Sequence, residues 1–339
     1  MKLYSALTVR GQARRLRAMA QSALRQYPLK VTCLSLVTND FNGIFRVDTQ
    51  DRQKFILRVT LPQGGHDRDH VAAEMAWLEA LSRDTGLSVP RPIPACDGSL
   101  VVEAIADGVP EARLCAVFTW VPGSDLARHI SPINLSRLGE LSARLHAHAR
   151  NFQPPAGLIL LSFDRVFPFP EPVVLFDEQN SSLFNGEQRQ TYEQANDWVQ
   201  QAIDRLKTSG EPMRILHGDL HQWNVRLFRG VLSPIDFEDL MWGWPVQDIA
   251  TTLYDLLRYD EYPILRNAFQ QGYAQHKPWP ERYPGEIDAF IAARGLGLVN
   301  FVLNDPSPYW HKQAGEFIER VGNRLRSLME GKSVDNSWR

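Results

Sequence analysis

The sequence predicts an α+β protein with two lobes, in which a small antiparallel sheet comes first and a larger, mostly helical region follows. Two observations support this prediction. Short runs of alternating apolar and polar residues, which are typical of strands, dominate the chain up to about residue 121. Beyond that point leucines recur at helical spacing, first between Leu135 and Leu145. Pro122-Gly123 directly follows an apolar strand pattern, which predicts a turn and a lobe boundary there.

The composition is that of an ordinary soluble globular protein. Of the 339 residues, 44% are hydrophobic and 22% are charged, and this length allows two lobes with cores of their own. The formal net charge of −2 provides no basic field for nucleic acid, and no apolar run approaches the ~18 residues that span a membrane. The few cysteines show neither metal spacing nor a disulfide framework, which fits a reducing compartment. They are Cys33, Cys96 and Cys115. We therefore expect a cytoplasmic protein that binds neither nucleic acid nor a membrane.

The first lobe, residues 1–121, is predicted to contain two helices and an antiparallel sheet. Gln12–Gln26 is basic and amphipathic, which predicts a surface helix and is also typical of a transit peptide. The predicted strands are Val31–Val37, Ile44–Val47, Lys54–Val59, Ser99–Ile105 and Arg113–Val121. A polar turn over residues 38–43 separates the first two strands, and Pro62-Gln63-Gly64-Gly65 breaks the chain before a helix at His70–Ser82.

The third strand and the helix after it predict one ion pair. Alternation along the strand places Ile56 and Arg58 on the same face. Glu74 falls on the apolar stripe of its helix, and a carboxylate that points inward needs a cation. Arg58 is the expected partner. A solvated Arg58 and a Glu74 at the edge of the stripe are the alternatives.

The second lobe, residues 122–339, is predicted to be mostly helical. Helices are expected at Leu135–His146, Tyr192–Leu206, Val246–Leu257, Ile264–Gln275, Gly285–Leu303 and Ala314–Glu330. His146 and His148 are expected on a helix surface, without a metal or catalytic role. Asp248 opens one of the helices, where capping and the helix dipole account for a negative residue.

The most informative stretch is His217-Gly218-Asp219-Leu220-His221-Gln222-Trp223-Asn224, which Ile235-Asp236-Phe237-Glu238 follows. The pattern His-Gly-Asp-x4-Asn is expected by chance in about two of a thousand chains of this length. Apolar runs on either side of Arg229-Gly230 predict a hairpin that brings Asn224 and Asp236 to one end. Phosphoryl transfer from ATP needs such a group: one carboxylate orients the acceptor proton, and an Asn and an Asp hold magnesium.

These motifs resemble the signature of the aminoglycoside phosphotransferase and choline kinase-like family, which shares the protein-kinase fold. The resemblance implies that Asp219 is the catalytic base and that Asn224 and Asp236 hold Mg²⁺. Protein kinases carry Arg in place of Gly218 and Gly in place of Glu238. That difference favours a small-molecule acceptor and leaves a protein acceptor open.

The resemblance also implies a nucleotide site in the first lobe. Arg58 stands where kinases carry a phosphate-binding Lys, with Glu74 as its partner and Ile56 facing the adenine. Arg contacts phosphate through a planar fork and is not equivalent to Lys. Asn42 and Gly43 belong to the turn over the phosphates.

The hinge of this family is expected at about residues 118–122. There the carbonyl of Trp120 and the amide of Val121 are the expected adenine contacts.

The sequence thus predicts an ATP-dependent phosphotransferase that uses magnesium and a hydroxylated small molecule, with GTP as an open alternative donor. The acceptor is left open. Carboxylates such as Glu238 and Asp255 would suit an aminoglycoside, whereas a box of aromatic rings would suit a quaternary amine. A protein Ser/Thr kinase of the same fold and a non-catalytic nucleotide-binding pseudokinase are the alternative functions. Oligomeric state cannot be deduced from the sequence.

Overall fold

The computed structural model describes residues 3–39, 42–60, 67–305 and 307–332. The chain divides into two compact units. The first unit comprises Met1–Gly123, Phe152–Ile159 and Phe228–Glu238, and the second comprises Ser124–Asn151, Leu160–Leu227 and Asp239–Arg339. The lobe bounds expected from the sequence, 1–121 and 122–339, stay a prediction.

Among its described residues, the first unit contains two α-helices and a six-stranded sheet. The helices are α1 (Val9–Leu24) and α2 (Arg68–Asp84), and the strands are β1 (Val31–Asn39), β2 (Gly43–Thr49), β3 (Lys54–Val59), β4 (Pro92–Ile93), β5 (Val102–Ala104) and β6 (Arg113–Thr119). The strand order is β1-β2-β3-β6-β4, β5 also pairs with β6, and the pairings with known register are antiparallel. Strand β3 is therefore central, and Arg58 sits between Ile44 and Ala116.

The core of the first unit lies between α1 and one face of this sheet. Leu16 and Met19 of α1 and Phe45, Leu57 and Val59 of the sheet are fully buried together. The alternation predicted for β3 explains this arrangement, because every second side chain of a strand points to the same face. The opposite face of β3 carries Arg58.

The second unit is mostly helical. Its helices are α3 (Pro132–Ala149), α4 (Gly186–Thr208), α5 (Pro245–Leu256), α6 (Tyr262–Ala274), α7 (Glu286–Asn304) and α8 (Pro308–Met329). Helix α7 packs against α4, α5 and α8, which explains why most of its side chains are buried. Helices α3 and α6 pack on each other.

Short strands position the loops of the second unit. They are β7 (Ser124–Asp125), β8 (Arg214–Leu216), β9 (Val225–Phe228) and β11 (Met241–Gly243), and β10 (Val231–Pro234) lies in the segment of the first unit that follows β9. Strand β8 pairs with β11, and β7 pairs with β9. Arg229 and Gly230, which join β9 to β10, both have positive φ, as a two-residue type I′ turn requires.

Most predicted elements are present within a few residues, and β3 has the predicted bounds. The predicted turn at 38–43 is shorter, because Thr38 and Asn39 belong to β1; Asp40, Phe41 and the predicted break at residues 62–65 lie outside the described residues. The surface placement of His146 is wrong: its side chain is 1% exposed. No helix among the described residues is long and apolar enough to cross a membrane.

Candidate active site

The predicted site residues fall into two groups, one in each unit. The first group surrounds Arg58. Its guanidinium donates to both carboxylate oxygens of Glu74 on α2, one of them at 2.9 Å, and the two side chains are about 5% and 3% exposed. The Arg58 guanidinium also lies 5.3 Å from the ring centroid of Phe118 on β6. The expected ion pair between strand and helix is therefore present and buried.

Glu238 is a second carboxylate beside Arg58. Its Oε2 lies 3.5 Å from Nη1 of Arg58 and accepts a hydrogen bond of 2.5 Å from the amide of Asn42. Phe237 anchors this segment, because its ring packs edge-on against Trp77 of α2 at 5.4 Å between centroids. Burial alone would lower the pKa of Arg58, but the carboxylates around it outweigh that effect and raise the pKa, so the guanidinium stays charged.

Asp236 precedes these residues in a strained conformation. Its φ of 65° lies in the left-handed region, which is unfavourable for residues other than Gly, though less so for Asn and Asp than for most. Asp236 is close enough to Arg58 for its charge to contribute to the raised pKa of the guanidinium. Backbone strain of this kind concentrates at functional sites, which supports a special role for Asp236.

The remaining predicted nucleotide contacts are placed by the sheet. Gly43 begins β2 opposite Val59, and Ile56 is half-buried opposite Phe118 on β6. Trp120 follows β6, and its amide donates to the carbonyl of Lys54. The Trp120 carbonyl remains the atom proposed for adenine, and Val121 follows it as a half-buried residue.

The second group lies in the loop after β8. Gly218 has φ 81°, and a Cβ placed on it would come within 2.0 Å of the carbonyl oxygen of Asp239. Glycine therefore satisfies two requirements at this position, a left-handed backbone and a close approach. The amides of His217 and Gly218 donate to the carboxylate of Asp248 on α5, at 3.3 and 3.0 Å.

The carboxylate of Asp248 is held in turn by His146. Nε2 of His146 on α3 lies 3.0 Å from its carboxylate, and Nδ1 of the same ring lies 3.0 Å from the hydroxyl of Tyr273 on α6. All three side chains are at most 1% exposed. Asp248 thus braces the His217-Gly218-Asp219 turn from the helical core, and His146 has a structural role that its spacing in the sequence did not indicate.

Asp219 receives hydrogen bonds on both carboxylate oxygens. The amide nitrogen of Asn224 lies 2.9 Å from Oδ2, and Nε2 of His221 lies 3.2 Å from the same oxygen. Nη2 of Arg294 on α7 lies 2.5 Å from Oδ1. Burial alone would raise the pKa of Asp219, but the charge of Arg294 and the interaction with His221 hold it well below the ordinary range. Asp219 is therefore an ionised carboxylate.

The contacts of Asn224 settle the orientation of its amide. Nδ2 lies 3.0 Å from the carbonyl oxygen and 2.9 Å from Oδ2 of Asp219, and both are acceptors. The nitrogen must face Asp219, so the amide oxygen points to the other side, where it can accept a hydrogen bond or bind a hard cation. This fits a magnesium ligand. Among the described residues there is no group of three or more His, Cys, Asp or Glu side chains that could hold a metal ion.

His221 lies between Asp219 and Asp255 of α5. Its Nδ1 accepts a hydrogen bond of 3.1 Å from the amide of Trp223, which leaves Nε2 as the nitrogen that donates to Asp219. Asp255 lies 4.0 Å from Nδ1 and is 29% exposed. Asp255 is thus near the proposed base, whereas Glu238, the other predicted acceptor contact, lies beside Arg58 and Asn42.

Several aromatic residues of the second unit lie in separate clusters. Trp279 packs against Phe269 and Tyr273, whereas Tyr309 packs against Trp310. Trp244 is 2% exposed and belongs to the core. These contacts do not support a single aromatic box.

Arg294 was missed by the sequence reasoning. One signal could have identified it: Arg294 is the only basic residue of α7, and apolar residues surround it in the sequence. A charge in such a helix needs a buried partner, and the partner is Asp219.

The family of this chain follows from comparison with known proteins. The model of the phosphotransferase enzyme family, APH, matches residues 37–286. The chain belongs to this family. The predicted resemblance is confirmed, and the prediction of a phosphotransferase enzyme is confirmed at the level of the family.

Several similar proteins are kinases that are named after a small molecule. The chain is 28% identical to "Amicoumacin kinase" from Bacillus subtilis (strain 168), over 67% of this chain and 65% of that protein's length. Among solved structures it is similar to the microcompartment-associated aminopropanol kinase, with TM-score 0.75, 20% identity, and coverage of 94% of this chain and 99% of that one. Amicoumacin kinase hAmiN, solved with AMP-PNP, Ca²⁺ and Ami, gives TM-score 0.72 at 19% identity, covering 94% of this chain and 96% of that chain. These similarities confirm the predicted kinase-like fold class.

Proposed function

We propose that this protein transfers the γ-phosphoryl group of ATP to a hydroxyl of a small molecule, with Asp219 as the base that orients the acceptor. The main support is one observation: in the His-Gly-Asp-x4-Asn loop, the amide nitrogen of Asn224 donates to Asp219. One loop therefore presents an ionised carboxylate for the acceptor and an amide oxygen for a cation.

The chemical step can be written with these residues. The acceptor O–H bond breaks, a bond forms between that oxygen and the γ-phosphorus, and the bond between the γ-phosphorus and the bridging oxygen of ADP breaks. Asp219 accepts a hydrogen bond from the hydroxyl and receives its proton. Because the pKa of Asp219 is low, it binds this proton weakly and releases it to solvent. Asp219 therefore contributes mainly by orientation and negative charge.

The first unit would bind the nucleotide. Arg58 is charged and is held in place by Glu74, so its guanidinium is a candidate for phosphate contact, with Asn42 and Gly43 in the turn above the phosphates. The proposed adenine contacts are Ile56 and the hinge residues Trp120 and Val121. Relatives solved with AMP-PNP and with ADP support a nucleotide substrate. A structure of aminoglycoside 2'-phosphotransferase-IIIa with GDP keeps GTP as an alternative donor.

Magnesium is the proposed metal, with Asn224 and Asp236 as its protein ligands. Both supply oxygen donors, which hard divalent cations prefer. When bound, the ion would neutralise charge on the β- and γ-phosphates. A similar protein, amicoumacin kinase hAmiN, was solved together with AMP-PNP and Ca²⁺, which supports a divalent cation in the proposed reaction.

We propose a small molecule rather than a protein as the acceptor. The names of the relatives support this: amicoumacin, aminopropanol and spectinomycin are all small molecules. In the second unit Asp255 would contact an acceptor amine, because it is partly exposed and lies near His221, which contacts Asp219. Glu238 contacts Arg58 and Asn42, the two residues that we propose lie near the phosphates. We therefore propose that Glu238 lies near the nucleotide and does not contact the acceptor.

An acceptor screen tests the proposal. The purified protein is incubated with Mg²⁺ and ATP, then with GTP, in the presence of aminoglycosides, spectinomycin, 1-amino-2-propanol, choline, sugars or casein. We expect ADP production that depends on one class of small molecule, a product heavier by one phosphoryl group, and turnover reduced to a small residual rate in Asp219→Asn. Phosphorylation of casein alone would favour the protein kinase alternative. Nucleotide binding without turnover of any acceptor would favour the pseudokinase alternative.

A further inference from the structure

We propose that Arg294 is a positioning residue for phosphoryl transfer, which holds the Asp219 carboxylate in the orientation that receives the acceptor. This inference rests on the proposed function. Arg294 lies 75 residues beyond Asp219, on a different element, and its Nη2 reaches Oδ1 at 2.5 Å. The His-Gly-Asp-x4-Asn motif does not include it.

The donors around Asp219 have different origins. Asn224 and His221 belong to the same loop as Asp219, so they move with it. Both approach Oδ2, whereas Arg294 alone among the described contacts takes Oδ1. A carboxylate held on one oxygen can still rotate about its Cβ–Cγ bond. Arg294 therefore fixes the plane of the carboxylate relative to a helix outside the loop.

Helix α7 is a rigid base for this contact. Gly295, next to Arg294, is so closely packed that a Cβ there would lie 3.2 Å from Val321 of α8 and 3.4 Å from Tyr254 of α5. On the same helix, the carboxamide oxygen of Asn300 accepts hydrogen bonds of 2.8 and 3.2 Å from the amides of Val174 and Leu175. Functional groups built on fixed helices are placed more precisely than groups on loops.

The charge balance explains why this position carries an arginine. Arg294 is 23% exposed and Asp219 is 17% exposed, so the pair is largely removed from water. Asp239 and Asp255 add further negative charge around the guanidinium. Without Arg294 the Asp219 carboxylate would lose its guanidinium partner in a largely buried place. A planar guanidinium supplies charge and direction together, which an ammonium does only in part.

Because both oxygens of Asp219 already accept hydrogen bonds, the acceptor hydroxyl must share one of them. The fixed plane then decides which lone pair faces the hydroxyl. Removing Arg294 is expected to leave nucleotide binding intact and to impair the orientation of the acceptor. A misplacement of about 1 Å costs on the order of 100-fold in rate.

The test compares Arg294→Gln and Arg294→Lys with Arg324→Gln. Arg324 is the matched control, because it lies on the neighbouring helix α8 with its guanidinium 5.6 Å from the ring centroid of Tyr254. Steady-state kinetics are measured with ATP and the best acceptor from the screen. We expect kcat of Arg294→Gln to fall roughly 100-fold with an unchanged KM for ATP, partial recovery in Arg294→Lys, and an unchanged kcat in Arg324→Gln.

A double-mutant cycle separates positioning from a merely structural role. If Arg294 acts through Asp219, Arg294→Gln has no further effect on the residual turnover of Asp219→Asn. The same cycle is measured on the free energy of unfolding in urea, where non-additive effects are expected for residues in contact.

The outcomes distinguish the two proposals. Turnover in the unmodified protein with equal kcat in Arg294→Gln and Arg324→Gln overturns only the role of Arg294. Additive effects in either cycle, or a raised KM for ATP with unchanged kcat, also overturn it. Absence of turnover in the unmodified protein with every acceptor overturns the proposed function, and the role of Arg294 in that reaction falls with it.

Discussion

Arg58 and Glu74 form a two-point ion pair in which each terminal nitrogen of the guanidinium meets one carboxylate oxygen, and both side chains are almost fully buried. Strand β3 and helix α2 are consecutive elements of the first unit. The pair therefore ties α2 to the centre of the sheet. Its loss would leave a buried charge with Glu238 as a weaker partner at 3.5 Å.

We predict that Glu74→Gln lowers the free energy of unfolding by about 3 kcal/mol, because breaking one side of a buried ion pair leaves the other charge uncompensated. Urea unfolding measures the change. Glu103→Gln is the control, because Glu103 pairs with Arg68 in the same unit with side chains 57% and 61% exposed. An exposed pair is worth at most about 1 kcal/mol. Equal losses in the two variants would contradict the prediction.

Gly218→Ala is predicted to lower both stability and activity. The new Cβ would meet the carbonyl of Asp239 at 2.0 Å, and the residue would also keep an unfavourable φ of 81°. Together overpacking and left-handed strain cost about 3 kcal/mol. The matched control is Gly210→Ala, which has φ 73° but nothing within 4 Å of the added atom.

Gly210→Ala should therefore lose only about 1 kcal/mol. Urea unfolding measures the two losses, and acceptor-dependent ATP turnover measures the displacement of the Asp219 loop. Since relief of the contact would move the base, turnover should fall far more in Gly218→Ala. Comparable losses of stability in the two variants would show that crowding at Asp239 is unimportant.

Local patterns were sufficient to predict much of this fold. Strand β3 alternates strictly and has the predicted bounds, and the leucines of α3 marked a helix that the structure extends to Pro132–Ala149. Short strands such as β8 and β11, of three residues each, were missed. They carry too few residues for a periodic signal. Each forms by pairing with the other, which lies far away in the sequence.

The site was predictable where its residues share a motif. Asp219, Asn224 and Asp236 stand at fixed spacing, whereas Arg294 and His146 are brought near the loop by tertiary packing. His146 is instructive because its helix position gave no reason to expect burial. Its burial depends on Asp248 and Tyr273, which come from two other helices. No local pattern in the sequence indicates that these three side chains come together.

Asp236→Asn is predicted to weaken the magnesium dependence of activity without harming the fold. Asn tolerates the left-handed φ of 65° at this position, so the backbone should be retained. The lost carboxylate charge should raise the Mg²⁺ concentration for half-maximal turnover by at least about tenfold. A magnesium titration of turnover measures this shift.

Two further variants, Asp219→Asn and Arg52→Asn, are controls for the magnesium prediction. High Mg²⁺ should partly restore Asp236→Asn but not Asp219→Asn, which lacks the base. Arg52→Asn, another substitution at a positive φ, of 63°, should leave the titration unchanged. If Mg²⁺ restored both aspartate variants equally, or neither, Asp236 would not be a metal ligand.

Asp248→Asn tests the brace beneath the Asp219 loop. Burial would raise the pKa of Asp248, but the hydrogen bond and charge of His146, the charge of His217 and the amide of Gly218 hold it below the ordinary 3.8. A depressed carboxyl pKa adds stability that is complete above pH 3.8 and is lost as the pH falls through the pKa of the folded state. Asn offers a poorer acceptor, so at pH 7 we expect a loss of about 2 kcal/mol and slower turnover.

The difference in unfolding free energy between the unmodified protein and Asp248→Asn should therefore be constant from pH 7 to about pH 5 and shrink below pH 4. Urea unfolding at a series of pH values measures it. Asp204→Asn on α4 is the control, because Asp204 is exposed and its carboxylate accepts one hydrogen bond, from Gln200. That variant should differ little from the unmodified protein at any pH. A difference for Asp248→Asn that grows as the pH falls would mean that the carboxylate destabilises the loop.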